Sequence, residues 1–121
     1  KVDRKKIKII GDVENKDVVF VDDMIDTAGT MIVDAEAAKR AGARDIYAVA
    51  SHALFSKDAI NRLHKSPIKK IIVTDTTHSI FTLALKKAKH ANKIEVLSIA
   101  PLLGDAIRRL HDGESLSALI P

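Results

Sequence analysis

The stretch VVFVDDMIDTAGT, residues 18 to 30, joins a β-branched apolar run to a turn of small and hydroxyl-bearing residues. Val18 to Val21 have the composition of a buried strand. Beyond the turn, Val33, Ala37 and Ala41 recur at i, i+4 and i+8, the spacing of one helical face. A strand, a tight turn and a helix in that order begin a parallel crossover unit. Ligands of open parallel sheets bind beyond the carboxyl ends of the strands, so chemistry is expected in the turn after Val21.

Outward from this unit, KIKII (6–10), IYAVA (46–50), KIIVTD (70–75) and IEVLSI (94–99) repeat the β-branched pattern, so five strands are expected. Ile80, Leu83 and Ala84, and then Leu103, Ile107 and Leu110, keep helical spacing and predict helices with one buried stripe each. Gly42 after Lys39 and Arg40, and Gly113 after Arg108, Arg109 and His111, have the pattern of helix stops with cations at the negative end of the dipole. Ser56 is placed to cap a helix from Lys57 to about His64, which Ser66-Pro67 would end. The order β-β-α-β-α-β-α-β-α predicts one α/β domain: a three-layer, mainly parallel β-sheet flanked by helices, both faces covered through right-handed crossovers.

Composition narrows the function. The chain has 121 residues, is 46% hydrophobic, carries a formal charge of +4 and has no cysteine. Disulfides, thiolate metal sites and a cysteine nucleophile are therefore excluded, and a reducing, cytoplasmic location is the expectation. No run reaches the roughly 18 apolar residues that a membrane span needs, so no membrane partner is expected. Aromatic residues are only 3%, too few to stack single-stranded nucleic acid, and the modest positive charge suits a small anion instead. Five histidines, at 52, 64, 78, 90 and 111, show no metal-ligand spacing, and no metal ligands are assigned. Lys69, Lys70, Lys86, Lys87 and Lys89 read as solvated surface. Lys1 in place of methionine suggests a piece of a longer chain.

Within the turn, Asp22 and Asp23 close the strand, Asp26 follows, and the N–H groups from Thr27 to Thr30 sit where a helix starts. The first helical turn has unpaired donors and the positive end of the dipole, so it binds a phosphate without further help. Thr27 and Thr30 add hydroxyls, while Ala28 and Gly29 are small enough to let an anion reach the backbone. The carboxylates need polyol hydroxyls or a hydrated cation. Ribose 5-phosphate satisfies the whole pattern, its phosphate on residues 26 to 30 and its 2- and 3-hydroxyls on Asp22 and Asp23. A Walker B magnesium site would need a G-x-x-x-x-G-K-[ST] partner, which the chain lacks. A phosphoacceptor aspartate and simple helix capping are the other readings. The loop's anion-binding character argues against the first, and capping alone needs only one polar residue.

DDMIDTAGT (22–30) resembles the phosphoribosyl-pyrophosphate (PRPP) loop of the type I phosphoribosyltransferase fold, in the version found in ribose-phosphate pyrophosphokinases. IIGDV (9–13), SHALFS (51–56), the strand ending at Asp75-Thr76 and AIRRLHDGESLSALI (106–120) follow in the order of that family's carboxyl-terminal half. The resemblance implies a single phosphoribosyltransferase-like domain over residues 1–121, the C-terminal domain of a longer two-domain chain. It implies transfer of the pyrophosphoryl group of ATP, with Mg2+, to the 1-hydroxyl of ribose 5-phosphate, giving PRPP and AMP. On it, Asp22 and Asp23 orient the ribose, and Asp26, Thr27, Ala28, Gly29 and Thr30 cradle the 5-phosphate. Ser115 and Ser117 match positions of a regulatory phosphate or ADP site, and the family assembles as homo-oligomers, dimers or hexamers.

Three departures qualify the resemblance. The half that supplies the ATP pocket and magnesium ligands is absent, so this segment alone is expected to be inactive. Lys1 and Arg4 lie too close to IIGD to stand for the family's catalytic loop, so no catalytic residue is assigned. His78 to Asn92 departs from the family's usual stretch after the Asp-Thr strand end. Two alternatives remain: a phosphoribosyltransferase that consumes PRPP, for which no aromatic hood over a nucleobase is visible, and a non-catalytic associate of a true synthetase.

Overall fold

The computed structural model describes residues 7–77 and 91–119. Four strands, β1 (Val18–Ile25), β2 (Ile46–Ala53), β3 (Lys70–Thr74) and β4 (Ile94–Leu97), form one sheet in the order β1-β2-β3-β4. Each pairs in parallel with the next, for example Phe20 with Ala48, Ala48 with Ile71, and Ile71 with Ile94. Helix α1 (Gly29–Arg40) connects β1 to β2, α2 (Ala59–Lys65) connects β2 to β3, and α3 (Ala100–His111) follows β4. Short 3-10 turns occupy Ala91–Lys93 and Leu116–Leu119. The α/β class and the parallel sheet are as the sequence predicts.

Sequential strand order with right-handed crossovers places α1 and α2 on the same face. The core lies there: Ile32, Ala35 and Ala38 of α1 and Leu63 of α2 cover Ile46, Ala48, Ala50, Ile71 and Val73 of the sheet. Ala48 and Ala50 are wholly buried with short side chains, which lets the helices sit close over the middle of β2. Among the described residues the opposite face is open, with Val19, Val21 and Leu97 exposed. The expected second covered face is therefore not built from α1 and α2.

Three local expectations are corrected. Residues 7–10 of KIKII form no strand, and Ile10 is almost fully exposed. A β-branched run becomes a strand only where a neighbour offers a ladder, and the segment leads instead into a loop in which Asn15 N–H donates to the Gly42 carbonyl. Helix α2 begins at Ala59 rather than Lys57, because Lys57 takes a left-handed φ of 57°. Ser56 contributes its main-chain carbonyl to the Ala59 N–H and makes no side-chain cap. Helix α3 forms where Leu103, Ile107 and Leu110 predict it, yet none of its residues is buried. Its salt bridges instead tie Asp105 to Arg108 at 2.6 Å and to Arg109 at 3.2 Å. The helix predicted from Ile80, Leu83 and Ala84 lies outside the described residues, as do Lys86, Lys87, Lys89, His78 and His90. Both helix stops are as expected, with Gly42 and Gly113 at φ of 90° and 72°.

Asp75 links β3 to the start of α3 by accepting the Ile99 N–H at 2.9 Å. The Ser98 hydroxyl, and then the Ile99 N–H, hold its carboxyl below the usual carboxylate range. A carboxyl whose pKa is lowered by folding stabilises the fold above its unfolded value, and that contribution disappears as pH falls through the lowered folded value. Asp75→Asn keeps an acceptor oxygen but does not titrate, so its urea midpoint should fall less steeply than wild type between about pH 5 and pH 2. Asp12, Asp17 and Asp105, lowered first by hydrogen bonds from Lys16, Arg44 and Arg108, keep their own acid sensitivity in that variant. In the core, Leu63→Ala should destabilise by about 3 kcal/mol in chemical denaturation, the scale of a fully buried leucine truncated without collapse of its cavity.

Candidate functional site

Strand β1 ends at Ile25, whose carbonyl accepts the N–H groups of Leu54 and Phe55 at 3.0 Å each. This ties the carboxyl end of β1 to that of β2. Asp26, Thr27 and Ala28 then turn the chain into α1, and Ala28 does so with φ 59° and ψ 12°, the left-handed region. A non-glycine residue there costs about 1–2 kcal/mol. Ala28 is also buried, and no side chain caps the helix. Gly29 itself does not have a positive φ. A Cβ on it would stand 3.6 Å from Thr27 Oγ1 and 3.7 Å from Arg62 Nη2, so its value at this position is smallness.

The turn leaves its donors open. The first hydrogen bond of α1 runs from Ile32 N–H to the Ala28 carbonyl at 3.1 Å. Among the described residues nothing accepts from the main-chain N–H groups of Asp26 to Thr30. No acidic residue occupies the first helical turn, so the positive end of the dipole is not neutralised from within the helix. These groups border a pocket of about 170 Å³ lined by Asp22, Met24, Ile25, Asp26, Thr27, Ala28, Gly29, Thr30 and Met31.

Six of the seven residues expected at the site, Asp22, Asp26, Thr27, Ala28, Gly29 and Thr30, line this pocket. Asp23 does not. Successive residues of a strand face opposite sides, so Asp22 shares the pocket side with Met24, while Asp23 belongs with Val19 and Val21. The Asp23 N–H donates to Asp22 Oδ1 at 2.9 Å, which orients the pocket carboxylate. Ser115 and Ser117 lie outside the pocket, where Ser115 Oγ accepts the Ser117 N–H at 3.1 Å and shapes the last turn. Among the described residues no three acidic or histidine side chains cluster to hold a metal.

Two further groups stand beside the pocket. Arg62 of α2 donates from Nη1 to the Thr27 carbonyl at 2.9 Å. Nothing in its spacing marks it, apart from its place next to the buried Leu63. His52 is opposite Met24 in the ladder, and its Nδ1 lies 2.8 Å from Thr76 Oγ1. The hydroxyls of Thr74 and Thr76 both donate to the Ser51 carbonyl, at 2.6 and 2.9 Å. Thr74 Oγ1 also lies 3.0 Å from Thr76 Oγ1, so the two hydroxyls, the Ser51 carbonyl and His52 Nδ1 form one network. SHALFS marks this rim in the sequence, whereas the hydroxyl network depends on β3 pairing with β2.

The family profile described as phosphoribosyl synthetase-associated domain matches residues 1–121. Ribose-phosphate pyrophosphokinase of Caldanaerobacter subterraneus subsp. tengcongensis is 48% identical over 113 residues, covering 93% of this chain and 34% of that protein. The enzyme of the same name from Aquifex aeolicus is 45% identical over 111 residues, covering 92% of this chain and 33% of its own length. The crystal structure of phosphoribosylpyrophosphate synthetase from Mycobacterium smegmatis superposes with a TM-score of 0.73 at 33% identity, covering 86% of this chain and 33% of that one. The chain thus spans about a third of the length of the relatives it matches. Matched along its whole length, and 48% and 45% identical to two ribose-phosphate pyrophosphokinases, the chain belongs to the phosphoribosyl synthetase-associated domain family.

Proposed function

We propose that this chain supplies the ribose 5-phosphate site of an enzyme that makes PRPP from ribose 5-phosphate and ATP. The observation that carries the reading is the row of unpaired N–H groups from Asp26 to Thr30, opening beside the Asp22 carboxylate in one pocket. The amides and the Thr27 and Thr30 hydroxyls hold the 5-phosphate, and Asp22 accepts from the ribose hydroxyls. Held at both ends, the sugar presents its 1-hydroxyl in a fixed direction. That hydroxyl attacks the β-phosphorus of ATP in line: a bond forms from O1 to the β-phosphorus, the bond from the β-phosphorus to the oxygen bridging to AMP breaks, and the hydroxyl proton is released. Such transfers depend mainly on positioning and electrostatic stabilisation, so this part of the enzyme need provide no nucleophile.

The described residues do not form a resident metal site. The magnesium that the resemblance implies enters this reading as the counter-ion of ATP. The homo-oligomer implied by the resemblance is supported by the apolar stripe of α3, where Leu102, Leu103, Ile107 and Leu110 are all exposed.

Millimolar ribose 5-phosphate should raise the melting temperature of the protein, since a ligand selective for the folded state stabilises it by mass action. An unchanged melting temperature would remove the reading. Gly29→Val combined with Thr30→Ala should weaken ribose 5-phosphate binding by about 2 kcal/mol in calorimetry, the scale of lost charge-assisted hydrogen bonds. Asp22→Asn should weaken binding more than Asp23→Asn does, because Asp22 alone of the pair lines the pocket. Equal losses would assign the diol to both carboxylates.

A further inference from the structure

Arg62 sits one residue before the fully buried Leu63, and its guanidinium reaches from α2 to the turn before α1. Nη1 donates to the Thr27 carbonyl at 2.9 Å, and Nη2 is 3.7 Å from where a Cβ on Gly29 would stand. One rigid cation therefore bonds the turn just before Ala28, the residue in the left-handed conformation, and borders the space beside Gly29 just after it. The peptide between Thr27 and Ala28 is trans, so its C=O and N–H point in opposite directions. Drawing the Thr27 oxygen toward α2 turns the Ala28 N–H away from α2, and Ala28 lines the pocket.

We infer that Arg62 is a positioning residue for the anion: it locks the Thr27–Ala28 peptide with its N–H aimed into the pocket, and its charge behind the turn adds to the attraction for a phosphomonoester. The inference rests on the pocket being a phosphate site. It explains how an alanine is kept in the left-handed region at a helix start with no side-chain cap. It also requires arginine in particular, because the planar fork can bond the Thr27 carbonyl with Nη1 while Nη2 stays beside Gly29, whereas lysine brings a single point charge.

The test compares the wild-type chain with Arg62→Met and Arg62→Lys, titrating ribose 5-phosphate and inorganic phosphate by calorimetry and following the Ala28 amide by ¹H–¹⁵N NMR. Unfolding midpoints without ligand are measured alongside. Arg62→Met should bind both ligands about tenfold more weakly, the scale of one lost hydrogen bond to a charged group. Its Ala28 amide resonance should be displaced even without ligand. Arg62→Lys should fall between the two, and it decides the matter if Arg62→Met unfolds. Wild-type affinity together with a wild-type Ala28 resonance in Arg62→Met, or in Arg62→Lys, overturns the role of Arg62 and leaves the pocket reading intact. Absence of any ligand-induced shift from Asp26 to Thr30 in the wild-type protein overturns the pocket reading and the role of Arg62 together.

Discussion

The left-handed turn at Ala28 is the constraint on which the site depends. Were Ala28 helical, α1 would extend backward, and the carbonyls of the preceding residues would take up the N–H groups that now face the pocket. The conformation is unfavourable for alanine by about 1–2 kcal/mol. It persists because both flanks are fixed: Ile25 is buried and bonded to the end of β2, Met31 and Ile32 are packed in the core, and Arg62 grips the middle. Strain at a functional turn is thus balanced by ordinary hydrophobic packing on either side.

Parallel pairing supplies the rest of the setting. With all four strands running the same way, their carboxyl ends gather at one edge of the sheet. Asp22 of β1, His52 of β2 and Thr74 at the end of β3 share that edge for this reason, although long stretches of sequence separate them. The hydroxyls of Thr74 and Thr76 bridge to the Ser51 carbonyl across the ladder, and Thr76 Oγ1 in turn holds His52 Nδ1 at 2.8 Å.

Much of this is legible in the sequence, because it is local. The strand, the small-residue turn, the acids and the start of α1 occupy thirteen consecutive residues, from Val18 to Thr30, and each follows from residue type and spacing. The glycine helix stops are local as well. What the sequence withholds is pairwise and distant. Arg62 reaches Thr27 only because α2 packs beside α1, and Asp23 leaves the pocket because alternation along β1 separates it from Asp22. KIKII has strand composition but finds no partner among the described residues, and composition cannot state whether a ladder is available. The stripe of α3 is equally clear in the sequence, yet periodicity identifies an apolar face without saying what covers it.

The simple sheet order has a kinetic consequence. Every described strand pairs with the one immediately preceding it, so each new pairing closes only one short crossover and never waits for a segment that emerges later. Loop-closure entropy is then met in small instalments, which favours faster folding than most parallel sheets allow. During synthesis β1, α1 and β2 can dock as soon as they leave the ribosome, with the left-handed turn at Ala28 already formed between β1 and α1, before β3 and β4 are added.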